Sequence, residues 1–83
     1  MDPTVKLLAF AGARDIVGAG EIAFPLAAPC TAAELLAAVC ARWPALEPYR
    51  RSIRVAVNGT YAAREDRVAP GDEVALIPPV AGG

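Results

Sequence analysis

Two segments near the start of the chain have the pattern and composition of β-strands. Residues 4–10 (TVKLLAF) and 21–26 (EIAFPL) are mostly apolar, with β-branched and aromatic side chains. The segment between them, 11–18 (AGARDIVG), has glycine near both ends, which indicates a turn or a single helical turn. Proline cannot donate a ladder hydrogen bond, so we expect Pro25 at the end of its strand or the strand at a sheet edge.

A capping box marks the start of the main helix. In residues 31–34 (TAAE), the Thr31 hydroxyl can accept from the Glu34 N–H, and the Glu34 carboxylate can accept from the Thr31 N–H. A proline at position 44 ends the segment, because it disfavours helical geometry in the residue before it. The pattern therefore predicts a helix over about residues 32–43. Its apolar face follows the three-to-four spacing of helices and consists of Leu35, Leu36, Val39, Cys40 and Trp43.

The second half of the chain predicts two or three further strands. Residues 53–57 (IRVAV) alternate as a half-buried strand does. Asn58-Gly59 is a strong hairpin signal because both residues tolerate positive φ, and it leads into a short strand around Tyr61. Residues 74–77 form the last predicted strand.

This order of elements predicts an α+β fold. One main helix (about 32–43) crosses one face of a mixed sheet of four to five strands, which makes a roll. The β-grasp, or ubiquitin-like, arrangement is the best-known solution of this size. We expect residues 1–79 to form the domain and residues 80–83 to form a flexible C-terminal tail.

The first and last predicted strands are apolar on both faces. Leu8 and Phe10 point away from the side chains that a helix would cover, and Ile77 does the same in the last strand. Strands that are apolar on both faces are normally covered on both faces. Because exposed apolar patches usually mark interfaces, we expect a partner polypeptide on this face. The alternative is that a loop, 45–52 or 62–69, folds over it.

Composition narrows the function. The 83 residues are 55% hydrophobic and carry a net charge of −1, which argues against nucleic-acid or anionic-membrane binding. No stretch approaches the roughly 20 apolar residues of a membrane span, and a signal-peptide pattern is missing, so we expect a cytoplasmic protein. The chain has no histidine, which excludes Ser–His and Cys–His nucleophiles. We expect no metal, no bound cofactor and no catalysis by this chain alone.

Two cysteines and a group of arginines invite functional hypotheses. Cys30 and Cys40 lie beside the helix start and on its apolar face, so small core side chains are favoured over redox or persulfide chemistry. Arg50, Arg51 and Arg54 form a small basic cluster. A solvated surface and a contact with an acidic patch of a partner are both open for this cluster.

The chain ends in Gly82 and Gly83, which suit a reactive terminus. An ATP-using enzyme can convert a terminal carboxylate to an acyl-adenylate, and the residues entering its closed site must be thin and conformationally free. Glycine has both properties. Pro78 and Pro79 favour extended geometry and would hold the tail away from the domain. A frayed end without function is the alternative.

The whole chain resembles the MoaD family, the small subunits of molybdopterin synthase. The resemblance rests on residues 10–18 (FA, RD and G within FAGARDIVG), 57–58 (VN), 71–75 (GDEVA) and 78–83 (PPVAGG), of which the last is the most specific. Asp15 stands where the family often has Glu. The helix segment matches in pattern only, and no task for Arg14 follows from the sequence.

The resemblance implies a sulfur carrier. An E1-like adenylyltransferase would consume ATP to adenylate Gly83, and a sulfur donor enzyme would convert the product to a thiocarboxylate. The tail would then insert into the large catalytic subunit of molybdopterin synthase and give its sulfur to cyclic pyranopterin monophosphate, a precursor of the molybdenum-binding dithiolene. The expected partner-binding residues are Leu8, Phe10, Ile77, Pro78, Pro79, Val80 and Ala81.

Other functions for the same tail stay open. One is sulfur transfer for thiamine, cysteine or tRNA thiolation. Another is a ubiquitin-like modifier that forms isopeptide bonds through Gly83. A third is an interaction module with an inert tail.

Overall fold

Strands and short helices alternate through the part of the chain that the structure describes. The computed structural model describes residues 2–79, so the expected tail at residues 80–83 lies outside the described residues. The elements are β1 (Thr4–Ala9), α1 (Ala11–Val17), β2 (Glu21–Pro25), β3 (Cys30–Thr31), α2 (Ala32–Arg42), a 3₁₀ helix (Pro44–Tyr49), β4 (Arg54–Val57), β5 (Thr60–Tyr61), β6 (Arg67–Val68) and β7 (Glu73–Ile77).

The main sheet has five strands in the order β2-β1-β7-β4-β5. β1 and β7 are parallel, and the other neighbouring pairs in this sheet are antiparallel. β7 therefore lies at the centre and is hydrogen-bonded on both sides. Pro25 is the last residue of the edge strand β2, where its missing N–H costs no ladder bond. The predicted mixed sheet with one main helix is confirmed.

The core lies between α2 and one face of the sheet. Leu7 of β1 and Val74 of β7 are 0% exposed, and Leu35 and Val39 of α2 are at most 2% exposed in the same cluster. Within residues 2–79, none of the helices combines the length and the apolar character needed to cross a membrane.

The capping box at the start of α2 is present as predicted. The Glu34 N–H donates to Thr31 Oγ1 at 3.1 Å, and the Thr31 N–H donates to Glu34 Oε1 at 2.9 Å. The second bond stabilises the charged carboxylate and so holds the pKa of Glu34 below its ordinary value. α2 ends at Arg42, and the next residue, Trp43, packs against Phe24 with ring centroids 6.0 Å apart.

The helical turn expected within residues 11–18 is the helix α1. It ends at Gly18, which has a φ of 89° and donates its N–H to the Arg14 carbonyl at 2.8 Å. This left-handed conformation explains the glycine, because other residues adopt it at a cost.

Two segments expected to be irregular are partly ordered and lie on the helix side of the sheet. Pro44–Tyr49 form the 3₁₀ helix, which contacts α1 and α2 and buries Leu46. In residues 62–69, β6 pairs with β3, and the Asp66 carbonyl accepts from the Ala32 N–H at 2.8 Å. Neither segment covers the opposite face of the sheet, so the alternative of a self-covering loop is wrong.

A side-chain clamp joins the β4–β5 turn to the start of β7. Asn58 and Gly59 form the predicted two-residue hairpin turn, with φ of 51° and 85°. Asn58 Oδ1 accepts from the Glu73 N–H at 2.9 Å, and Asn58 Nδ2 donates to Asp72 Oδ1 at 3.2 Å. Asp72 Oδ2 also accepts from the Ala69 N–H at 2.8 Å. The clamp therefore fixes where β7 begins.

We expect Asn58→Ala to lower the free energy of unfolding by about 3 kcal/mol, since it removes two hydrogen bonds and replaces asparagine with a residue that tolerates the left-handed region less well. Asn58→Gly is the matched control, because it removes the bonds but accepts the positive φ, and we expect a loss of about 2 kcal/mol. Urea unfolding monitored by Trp43 fluorescence measures both. Wild-type stability in both variants would contradict the clamp.

Candidate functional site

The face of the main sheet turned away from α2, called here the outer face, carries an apolar row. Side chains alternate along each strand, so the residues next to the core residues Leu7, Val55 and Val74 point outward. Among them Ala56 is only 8% exposed. The strand registers align Leu8 with Ala75, Ala75 with Ala56, and Ala56 with Tyr61. The row therefore crosses four neighbouring strands, β1, β7, β4 and β5.

Phe10 and Ile77 extend this apolar surface toward the end of β7. Phe10 is 49% exposed although it is a large apolar residue. Its backbone is extended, with φ −124° and ψ 155°, and continuing the β1–β7 register by one residue sets it beside Ile77. Leu8 and Ile77 are half-buried. Exposed apolar surface of this kind is typical of an interface.

Charged side chains border the outer face. On one side, Lys6 Nζ lies 3.6 Å from Glu21 Oε1, and both side chains are more than half exposed. On the other side, the Arg54 guanidinium lies over the Tyr61 ring, 5.7 Å from its centroid. An apolar centre with a polar rim is the usual arrangement of a protein-binding surface.

The chain leaves the domain from the central strand. β7 is held by β1 and β4, so the position of its last residue, Ile77, is fixed on both sides. Pro78 is half-buried and Pro79 is exposed. Both line a groove of about 570 Å³ that they share with α1 and the 3₁₀ helix, including Ile16 and Leu46.

The structure separates the predicted partner-binding residues into two surfaces. Leu8, Phe10 and Ile77 share the outer face, whereas Pro78 and Pro79 line the groove at the end of the sheet. The remaining predictions concern Val80, Ala81, Gly82 and Gly83, which lie outside the described residues.

Two members of the outer face, Ala56 and Tyr61, were not among the partner-binding residues expected from the sequence. The signal was available, because a two-residue turn at residues 58–59 pairs position 56 with position 61.

The two cysteines have the surroundings of structural residues. Cys40 is 2% exposed, and burial raises the pKa of its thiol. Cys30 is half-buried, and its pKa is raised by burial and by the nearby charge of Glu34. A raised pKa reduces the thiolate that redox and persulfide chemistry needs. Within residues 2–79, no group of three or more Cys, Asp or Glu side chains is placed to hold a metal ion.

Comparison with known proteins decides the family. The model of the ThiS family matches residues 7–83. The chain belongs to the ThiS family. The molybdopterin synthase sulfur carrier subunit of Chlamydomonas reinhardtii is 38% identical over 81 residues, which cover 95% of this chain and 98% of that protein. The protein of the same name in Escherichia coli (strain K12) is 37% identical, with 95% and 99% covered. The resemblance to molybdopterin synthase small subunits is confirmed.

Solved structures of similar proteins share the fold. SAMP1 from Haloferax volcanii is 30% identical and superposes with a TM-score of 0.79 over 96% of this chain and 99% of that one. The small archaeal modifier protein 1 from Methanosarcina acetivorans is 24% identical, with a TM-score of 0.78 over 100% and 99%, and shows the fold alone. The expected β-grasp roll is confirmed.

We expect Cys40 of the native protein to react with iodoacetamide more than about tenfold more slowly than in urea, because burial hides the sulfur and disfavours its thiolate. Cys30 is the internal comparison and should react faster than Cys40 in the native protein. Peptide mass spectrometry of timed samples measures both rates. Fast alkylation of native Cys40 would contradict a core role.

Proposed function

We propose that this chain is the sulfur carrier subunit of a molybdopterin synthase and that the terminal carboxylate of Gly83 carries the sulfur. The observation that supports this most is the 38% identity, over 95% of the chain, to a molybdopterin synthase sulfur carrier subunit. A second support is the exit of the chain from the centre of the sheet, which gives a tail a fixed origin. Gly82 and Gly83 meet the steric demands of a narrow active site.

The proposed chemistry takes place at the terminal carboxylate, and other proteins supply the catalysts. An E1-like adenylyltransferase joins a carboxylate oxygen of Gly83 to the α-phosphate of ATP, and pyrophosphate leaves. A sulfide equivalent from a donor enzyme then displaces AMP and leaves a thiocarboxylate. In the large catalytic subunit this sulfur attacks cyclic pyranopterin monophosphate, and hydrolysis of the acyl–sulfur bond returns the carboxylate. A second loaded chain supplies the other dithiolene sulfur.

The chain acts as the substrate of these enzymes in this proposal. It has no histidine. The proposed place of action is the cytoplasm, which supplies ATP for the first step.

The outer face is the proposed docking surface for the large catalytic subunit. Leu8, Phe10 and Ile77 lie on it and form the apolar centre of the contact. Ile77 is also the last residue of β7, so a partner seated there holds the domain directly beside the origin of the tail. Pro78 to Ala81 would then continue into the partner as an extended segment.

Modification of other proteins through Gly83 is a second candidate. It is favoured by the 30% identity to SAMP1 from Haloferax volcanii, which is called a small archaeal modifier protein. Both candidates begin with an activated Gly83 and differ in the acceptor, which is a sulfur donor in one case and a lysine amine in the other.

We expect the intact mass of the protein from sulfur-replete cells to show a fraction heavier by one oxygen-to-sulfur exchange, localised to Gly83. A variant lacking Gly83 is the control and should show no such fraction, because the next carboxylate is out of register with the adenylating site. The absence of the heavier fraction, together with chains attached to lysines, would favour the modifier.

We expect Phe10→Asp to weaken binding to the large catalytic subunit by about 2 kcal/mol or more, since it places a charge in the apolar centre of the contact. Its free energy of unfolding should fall by less than about 1 kcal/mol, because Phe10 is already half exposed. Titration calorimetry and urea unfolding measure the two quantities.

Ala38→Asp is the matched control for Phe10→Asp. It adds the same charge at an exposed position of α2, on the opposite side of the domain. Equal binding by these two variants would remove the outer face as the docking surface.

A further inference from the structure

A groove of about 590 Å³ beside the β4–β5 edge carries a concentration of arginines. Arg50 and Arg51 follow the 3₁₀ helix, Arg54 opens β4, and Arg64 follows β5, and all four line the groove. Half of the chain's eight basic residues therefore meet here, although its net charge is −1. The basic cluster expected from Arg50, Arg51 and Arg54 is brought together in the structure, and Arg64 joins it. We call this site the arginine groove.

Little in the described part of the chain neutralises these arginines. Arg50 Nη1 lies 3.3 Å from Glu47 Oε1, and both side chains are largely exposed, so this pair is weak. Within residues 2–79, Arg51, Arg54 and Arg64 form no salt bridge. The arginines thus retain an attraction for negative charge from outside the chain.

Part of the lining of the arginine groove is apolar. Leu36 of α2, Ile53, Val55 of β4 and Ala62 line it. The groove lies beside the first half of β4, on the side where the short β5 pairs only with Ala56 and Val57. On this side Val55 is joined to the next segment by one hydrogen bond, from the Ala62 N–H to its carbonyl at 2.9 Å. A lining that combines arginines with apolar side chains fits a polypeptide that carries both carboxylates and an apolar side chain. A free phosphate would use the arginines alone.

The arginine groove is continuous with the outer face. Arg54 pairs with Ile77 in the sheet, and Tyr61 pairs with Ala56, so both residues belong to the outer face and to the rim of the groove. The stacking of Arg54 on Tyr61 also restrains its guanidinium at the boundary between the two surfaces. A protein seated on the outer face can therefore reach around β5 into the groove.

We propose that the arginine groove binds an acidic, apolar-containing segment of the protein that docks on the outer face, which under the proposed function is the large catalytic subunit. The apolar centre of the interface supplies affinity. The arginines steer the approach of the partner and fix its orientation through paired guanidinium–carboxylate contacts.

The test compares two double variants of equal net charge in binding to the purified large catalytic subunit. Arg51→Gln/Arg64→Gln removes charge from the groove and leaves Arg54 and its stacking intact. Arg42→Gln/Arg67→Gln removes the same charge from two residues of α2 and β6 that do not line the groove. We expect the groove variant to associate about tenfold more slowly at low salt, with the difference shrinking as salt is added. The control variant should stay within about twofold of wild type.

Each outcome decides between the proposals. If wild type fails to bind the large catalytic subunit, the proposed function and this inference fall together. If both double variants associate equally, the inference alone is wrong. Amide NMR with inorganic phosphate provides the third arm. Two results together would overturn the proposal of an acidic segment: phosphate shifts groove resonances of wild type but not of Arg51→Gln/Arg64→Gln, and this variant associates with the protein partner as fast as wild type. The groove would then be a site for small anions.

Discussion

The parallel pairing of the first and last strands is the constraint on which the rest of the structure depends. A parallel pair cannot be closed by a tight turn, so the intervening chain must cross over, and α2 makes this crossing on one face of the sheet. The pairing also puts β7 at the centre, and the chain ends shortly after it. Because a single crossing covers one face, the same constraint leaves the outer face open.

Local chemistry made much of this fold predictable from the sequence. The capping box placed the start of α2, and Asn58-Gly59 placed a hairpin, because each depends on residues at most three apart. The 3₁₀ helix and the β3–β6 pair were missed for the opposite reason. β3 and β6 have two residues each, and they are strands only because tertiary structure brings residues 30–31 and 67–68 together. No pattern of neighbouring residues predicts such a pair of strands.

The functional surfaces were also predictable only where they depend on local sequence patterns. Alternation along β1 and β7 was enough to assign Leu8, Phe10 and Ile77 to one open face. The arginine groove was predicted only in part. Arg51 and Arg54 are close in sequence, whereas Arg64 reaches the groove because the chain turns back after β5. The clamp between Asn58 and Asp72 joins residues 14 positions apart, so no local pattern predicts it.

The open outer face limits how many proteins can bind this chain at the same time. A single apolar surface can be occupied by one protein at a time, so proteins that bind it exclude one another. Under the proposed function, in which the chain passes from one protein to the next, each transfer requires full release, and the lifetime of each complex limits the rate of the cycle. Very tight binding to any one of these proteins would slow the cycle. We therefore expect the chain to bind each of these proteins with moderate affinity. The small area of the outer face sets this limit.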